Sequence, residues 1–222
     1  MSTLTKIKSI EHITHDVIRI RTNKPDEISY HPGQAIDISI NKAEWKEKKN
    51  PFTFTSVPDD DFLEFTIKTY PAHKGATNEL LSAKVGDELI LYKAFGSIDY
   101  KGEGVFIAGG AGITPFLAIF KQLAKENKIG NNKLIFANKT KADIIDREIL
   151  KDLLGDNFIN VLSEEEVSGY EHGYVSAELL KKVSNDNLKY FYLCGPRPMM
   201  KAVEEHFSSL GIEDSNVIKE RF

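Results

Sequence analysis

Two short segments carry residue types suited to holding a phosphorylated ligand. Gly110-Ala111-Gly112-Ile113-Thr114-Pro115 follows the apolar run Val105-Phe106-Ile107-Ala108, and Cys194-Gly195-Pro196 follows the apolar run Tyr190-Phe191-Tyr192-Leu193. In an open parallel sheet, ligands bind beyond the carboxyl ends of the strands, where glycine lets the backbone approach a pyrophosphate. Thr114 as N-cap and Pro115 as first helical residue predict a helix opening there, with its free N–H groups and dipole turned toward phosphate. A nicotinamide nucleotide is the ligand such a pair of strand ends suggests. A glycine turn of this kind, taken alone, also reads as a purely structural tight turn.

Around these segments the chain alternates between two patterns. Up to about Lys101 it consists of short β-rich runs broken by turn residues. Val17–Arg21, Ala35–Ile40 and Phe62–Ile67 alternate apolar and polar side chains, as half-buried antiparallel strands do, and Val85-Gly86-Asp87 leads into Glu88–Leu91. These predict an antiparallel barrel with one short inserted helix near Asn78–Ala83. After Lys101-Gly102-Glu103-Gly104, apolar strands alternate with amphipathic helices, the pattern of a parallel sheet with helical crossovers. Strands are expected at Val105–Ala108, Leu134–Ala137, Phe158–Leu162 and Tyr190–Leu193, and helices at Pro115–Lys125, Arg147–Leu154, Ala177–Val183 and Pro198–Leu210. The expected fold class is therefore a two-domain β plus α/β protein, divided into residues 1–101 and 102–222.

Composition narrows the chemistry. The net charge of −4 and the lack of a basic tail argue against nucleic-acid binding. No apolar stretch reaches membrane-spanning length and no secretory signal opens the sequence, so a cytoplasmic location is the expectation. The single cysteine excludes an internal disulfide and a cluster held by several cysteines of this chain, so any electrons must be carried by another cofactor. The six histidines show no metal-ligand spacing, and Gly-x-Ser-x-Gly is absent. Glu164-Glu165-Glu166 reads as a solvated loop after a strand.

Four further segments precede the nucleotide-type turns: Pro32-Gly33-Gln34, Pro51-Phe52-Thr53-Phe54-Thr55-Ser56, Ile67-Lys68-Thr69-Tyr70 and Gly75-Ala76-Thr77-Asn78. In this order, and with Cys194-Gly195-Pro196 followed by Met199, they resemble the ferredoxin–NADP reductase family, over nearly the whole chain. The resemblance implies a flavin-binding barrel joined to a nicotinamide-nucleotide domain. In the family a strand of the form Arg-x-aromatic-Ser/Thr lies along the flavin. Here Asn50, Pro51, Phe52 and Thr53 occupy it, with Asn50 in the arginine place. An amide cannot supply the bidentate, charge-assisted phosphate contact of a guanidinium, so weaker flavin affinity, or retention by other groups, is expected.

The resemblance also implies roles for other residues. Lys68, Thr69 and Tyr70 would lie on the flavin-binding strand, with Lys68 and Tyr70 on one face. Gly75, Ala76 and Thr77 would meet the flavin pyrophosphate, and Gly110, Ala111, Gly112, Ile113, Thr114 and Pro115, with Gly195, Pro196 and Met199, the nicotinamide nucleotide. Catalytic roles fall to Thr53 near the reactive ring edge, Cys194 as a wall for nicotinamide, Glu220 and the terminal aromatic Phe222. The implied cofactors are FAD and either NADPH or NADH. Lys139 and Lys141, after Asn138, suit a 2′-phosphate, while Asp143 suits a free ribose, and the sequence leaves the choice open. The implied activity passes hydride from nicotinamide to flavin and then single electrons to flavodoxin, ferredoxin, a cytochrome or a free small acceptor. Lys42, Lys46, Lys48 and Lys49 read either as a docking patch for an acidic acceptor or as a solvated loop. An alternative is a nucleotide-binding interaction or sensory subunit of the same fold that has lost flavin redox activity.

Overall fold

The computed structural model describes residues 2–70, 72–96, 98–184 and 188–220. The first half holds β1 (Thr3–Thr14), β2 (Val17–Asn23), β3 (Ala35–Ile40), β4 (Asn50–Thr53), β5 (Phe62–Lys68), the short helix α1 (Ala76–Glu79) and β6 (Glu88–Phe95). They form a six-stranded antiparallel sheet in the order β4-β3-β6-β1-β2-β5. Its two end strands meet just past β4, through a bridge between Phe54 and Phe65 and a 2.8 Å bond from the Thr55 N–H to the Glu64 carbonyl, which closes the barrel. Ile18, Ile20, Ile36, Phe54, Leu63 and Phe65 fill the interior, with Tyr30 stacked on Phe54 at 3.8 Å. Strand β1 is the barrel strand the sequence reading did not name. Thr5 and Ile7 point inward between the exposed Leu4, Lys6 and Lys8, so its pattern is half hidden by lysines.

The second half runs β7 (Gly104–Gly109), α2 (Thr114–Lys125), β8 (Lys133–Asn138), α3 (Arg147–Leu154), β9 (Phe158–Leu162), β10 (Glu171–His172), α4 (Ala177–Val183), β11 (Tyr190–Cys194), α5 (Arg197–Ser209) and β12 (Val217–Lys219). The parallel sheet has the order β10-β9-β8-β7-β11-β12. Its short β10 and β12 were not named in the sequence reading either. Every residue of β7 is buried, as expected of a central strand covered on both faces. From β7 the chain first builds outward through β8, β9 and β10, then crosses to the other side of β7 as β11. The loops after β7 and β11 therefore leave in opposite directions and open a crevice between them.

Three boundaries differ from expectation. Helix α2 begins at Thr114, not after it, because Gly110–Ile113 already form a 3-10 turn. Thr114 thus has helical dihedrals, and its hydroxyl donates 3.0 Å to the Ala111 carbonyl instead of capping a helical N–H; Pro115 is the second helical residue. The inserted helix starts earlier, at Ala76, after an extended Gly75, and tightens into a 3-10 turn at Leu80–Ser82. Helix α5 starts at Arg197, one residue ahead of Pro198.

The two halves are clamped by charge. Both carboxylate oxygens of Asp146, the residue before α3, accept from the Arg19 guanidinium at 2.5 and 2.6 Å. Lys121 on α2 reaches into the barrel and donates 2.7 Å bonds to the Thr55 carbonyl and to the buried Glu64 carboxylate. Arg21 donates to the other Glu64 oxygen at 2.8 Å, and Thr55 Oγ1 to the first at 3.0 Å.

Candidate functional site

The crevice is a cleft of about 830 Å³ that runs from the barrel across the carboxyl ends of the parallel strands. On the nucleotide side its floor is built by mutual approach of two strand ends. A side chain on Gly112 would collide with the Cys194 carbonyl, and one on Gly109 with the Met199 sulfur. A side chain on Gly195 would press on the Gly109 backbone at 3.1 Å, a tight contact short of a collision. Gly110 differs: its φ of +51° lies in the left-handed region, and the space beside its α-carbon is open. The 3-10 turn runs straight into α2, where the Thr114 N–H already donates to the Ala111 carbonyl and Pro115 has none, so the N–H groups left for a ligand are those that open the 3-10 turn at Gly110.

The barrel contributes Thr53 from the end of β4, Lys68 from the end of β5, and Tyr70 two residues on. Tyr70 is 46% exposed and stacks on His73 at 5.9 Å. Lys68 is held by Asp16 at 2.8 Å. Thr69 faces inward, and its N–H and hydroxyl both donate to the Asp16 carbonyl, at 2.7 and 3.0 Å. Asn50, in the arginine position, donates its amide to the Lys48 carbonyl at 3.0 Å. Of the lysines ahead of it, Lys42 pairs with Glu79 on α1 at 2.6 Å, while Lys48 and Lys49 lie over the rings of Trp45 and Tyr92.

Two titratable groups lining the cleft, Cys194 at the end of β11 and Glu220 just past β12, sit in a desolvating environment. Burial pushes the Cys194 thiol up to about 12, with the nearby Glu220 carboxylate adding to the shift, so the sulfur is a neutral thiol at physiological pH. Burial likewise holds the Glu220 carboxyl above its usual range. Elsewhere in the cleft, Asn138 carries a buried side-chain nitrogen with no hydrogen-bond partner, a donor aimed at no protein group. Asp143 accepts from the Thr140 N–H and hydroxyl at 2.8 and 2.7 Å, a capping box that occupies this carboxylate locally.

The cleft thus gathers Thr53, Lys68, Tyr70, Gly110, Ala111, Gly112, Thr114, Asn138, Lys139, Cys194, Gly195, Pro196, Met199 and Glu220. Ile113 and Pro115 are buried beneath it, and Asn50, Pro51, Phe52, Thr69, Gly75, Ala76 and Thr77 lie outside its walls. Phe222 lies outside the described residues. Ser163 and Tyr174 line the cleft although sequence reasoning passed over them, and so does Glu164, which the sequence places in a solvated loop. Tyr174 is 84% exposed, an unusual setting for a tyrosine, and only its neighbour Gly173 hinted at a turn reaching the site.

The residues present fit two ligands end to end: a phosphate cradle of glycines and a helix start, and a barrel strand ending in a hydroxyl. Comparison with known proteins agrees. An FAD-binding domain family matches residues 2–103 and an oxidoreductase NAD-binding domain family matches residues 106–205. The propane 2-monooxygenase reductase component of Mycolicibacterium goodii is 30% identical over 96% of this chain and 64% of its own length. The toluate 1,2-dioxygenase electron transfer component of Pseudomonas putida is 23% identical over 97% of this chain and 66% of its own. The chain therefore spans less than two thirds of each of these curated relatives. The crystal structure of a ferredoxin NADP+ reductase from Neisseria gonorrhoeae with bound FAD and NADP superposes with a TM-score of 0.85 at 20% identity, over 99% of this chain and 98% of that one. Among the described residues no helix is long and apolar enough to cross a membrane.

Proposed function

The chain belongs to the ferredoxin–NADP reductase family, and from that premise we propose that it is an NAD(P)H-dependent flavoprotein reductase serving a separate electron acceptor. The observation that carries this reading is the single cleft lined at one end by Thr53 and Lys68 of the barrel and at the other by the glycine turns after β7 and β11. Bound FAD and nicotinamide nucleotide supply the chemistry, a two-electron transfer between rings and its release in single-electron steps.

The protein's own part is placement and environment. Gly109, Gly112 and Gly195 let the strand ends close up, so a nucleotide laid over them reaches the start of α2. Thr53 offers a hydroxyl to the reactive ring edge from a strand fixed by β3 on one side. Cys194 presents a neutral, polarisable wall beside nicotinamide, since its thiol stays protonated. Glu220, with its carboxyl raised by burial, holds a proton more readily than an ordinary surface glutamate near the same rings. Residues 1–101 act as the flavin domain and 102–222 as the nucleotide domain, and the Arg19–Asp146 and Lys121–Glu64 contacts keep them in register. With Asn50 in the arginine position, the flavin phosphates are held chiefly by the Gly75–Thr77 turn. The acceptor is a flavodoxin, ferredoxin, cytochrome or small molecule, and the low cysteine content suits the cytoplasm.

The deciding experiment is a visible absorption spectrum of the gently purified protein during anaerobic titration with NADH or NADPH. An oxidised-flavin spectrum that bleaches is the expected result. A protein that stays colourless when FAD is supplied refutes the reductase reading and leaves a nucleotide-binding subunit without redox activity.

A further inference from the structure

From the far rim of the cleft we infer that Glu164 makes this protein selective for NADH over NADPH, an inference that rests on the reductase reading. The sheet order, together with the nicotinamide placement that the resemblance implies, sets which part of the nucleotide reaches that rim. With the pyrophosphate over the turn after β7 and nicotinamide toward Cys194 after β11, the adenosine half extends the other way, over the ends of β8 and β9. Those two ends are stitched together. The Ser163 N–H donates to the Asn138 carbonyl at 3.0 Å and the Glu164 N–H to the Lys139 carbonyl at 2.9 Å. The Lys141 N–H donates to the Glu165 carboxylate at 2.6 Å.

The stitching changes the meaning of the glutamate run and of the lysines opposite. Glu164 turns into the cleft and holds Lys139 in an ion pair at 2.9 Å, beside the exposed Tyr174. Asp143, the acidic residue on the loop after β8, has its Oδ2 tied to the Thr140 N–H and hydroxyl by the capping box, which leaves it more constrained than Glu164. Glu164 meets Lys139 through Oε1 and stays exposed, so its carboxylate has both the charge and the access to accept from a ribose 2′-hydroxyl. A 2′-hydroxyl donates to Glu164 and leaves the pair with Lys139 intact. A 2′-phosphate brings about two negative charges against Glu164, Glu165 and Asp143, and must also displace Glu164 to reach Lys139. Lys139, which looks like a phosphate ligand in the sequence, is thus neutralised before the coenzyme arrives.

The test separates coenzyme choice from flavin chemistry. Binding of ADP-ribose and of 2′-phospho-ADP-ribose to the holoprotein is measured by calorimetry, alongside kcat/KM for flavin reduction by NADH and NADPH. The expected result is at least about tenfold tighter binding of ADP-ribose, with the same preference for NADH in kcat/KM. Glu164→Gln should collapse both preferences several-fold, chiefly by improving the phosphorylated ligand, while Glu166→Gln leaves them unchanged. Equal or tighter binding of the 2′-phosphorylated ligand by the unaltered protein overturns the inference, as does a Glu164→Gln variant that keeps the full preference. A protein that binds ADP-ribose selectively yet reduces no flavin with either coenzyme leaves the specificity intact and refutes the reductase reading instead.

Discussion

Replacing Glu64 by glutamine should be strongly destabilising, although the residue lies outside the cleft. Its carboxylate is 1% exposed and accepts from Thr55 at 3.0 Å, Lys121 at 2.7 Å and two Arg21 nitrogens at 2.8 Å. In Glu64→Gln the new amide nitrogen must face either Lys121 or Arg21, donor against donor, and the cations lose their countercharge. Breaking a buried pair from one side costs about 3–5 kcal/mol. Because Lys121 and Arg21 are 25% and 43% exposed and can turn to water, the lower end of that range, about 3 kcal/mol, applies here. For a chain of this length that corresponds to a fall in Tm of roughly 6–12 °C. Burial raises the Glu64 pKa, but Lys121, Arg19 and Arg21 more than offset it, so the group titrates below its usual value. A depressed folded-state pKa means that the contribution is complete above the unfolded value of about 4.3 and is lost as pH falls through the lower folded value. Thermal melts of flavin-loaded wild type and variant from pH 7 to pH 3 read both effects. A Tm difference under about 2 °C at pH 7, or one that grows as pH falls below 4, refutes the assignment.

Other perturbations address the site directly. Thr53→Ala should slow flavin reduction about tenfold in stopped flow, the worth of one hydrogen bond of roughly 1.4 kcal/mol, with bound flavin retained; an unchanged rate removes Thr53 from the ring edge. Gly112→Ala drives a methyl group into the Cys194 carbonyl and should lower both Tm and nicotinamide-nucleotide affinity, measured by melting and by calorimetry, whereas Gly110→Ala, with open space around it, should disturb mainly the turn. Asn50→Arg supplies the missing guanidinium and should tighten flavin binding about tenfold, read from the dissociation constant by fluorescence quenching, unless other groups already saturate the phosphates.

What the sequence made legible follows from where signals are local. The strand-turn-helix at Val105–Lys125 and the strand ending in Cys194-Gly195-Pro196 carry apolar runs and glycines side by side, and both strand ends line the cleft. The alternation of β and α segments likewise yields the parallel sheet. Strand β1 was hidden because Lys6 and Lys8 face solvent across a narrow inward row. The Thr114 cap failed because a 3-10 turn, which leaves no composition signal, had already made the backbone helical. Glu164 reads as a loop residue in the sequence, since a run of glutamates is normally solvated and only the pairing of the β8 and β9 ends turns it inward. The Arg19–Asp146 and Lys121–Glu64 clamps join residues far apart in the chain, which spacing alone does not reveal.

The closure of the barrel just past β4 bears on how flavin and fold depend on one another. Among the described residues, Asn50–Thr53 pair along the strand with β3 alone, and the seam to β5 begins at Phe54. A strand with one bare edge is the first part of a sheet to exchange its amide protons, because its opening breaks the fewest contacts. A planar ring system lying along that edge would act as a missing neighbour, so flavin occupancy becomes a structural latch for the barrel. Hydrogen exchange at Phe52 and Thr53 would then report cofactor loading more sensitively than any amide of the parallel sheet, and the apoprotein would lose its grip first at the strand that presents the hydroxyl to the ring.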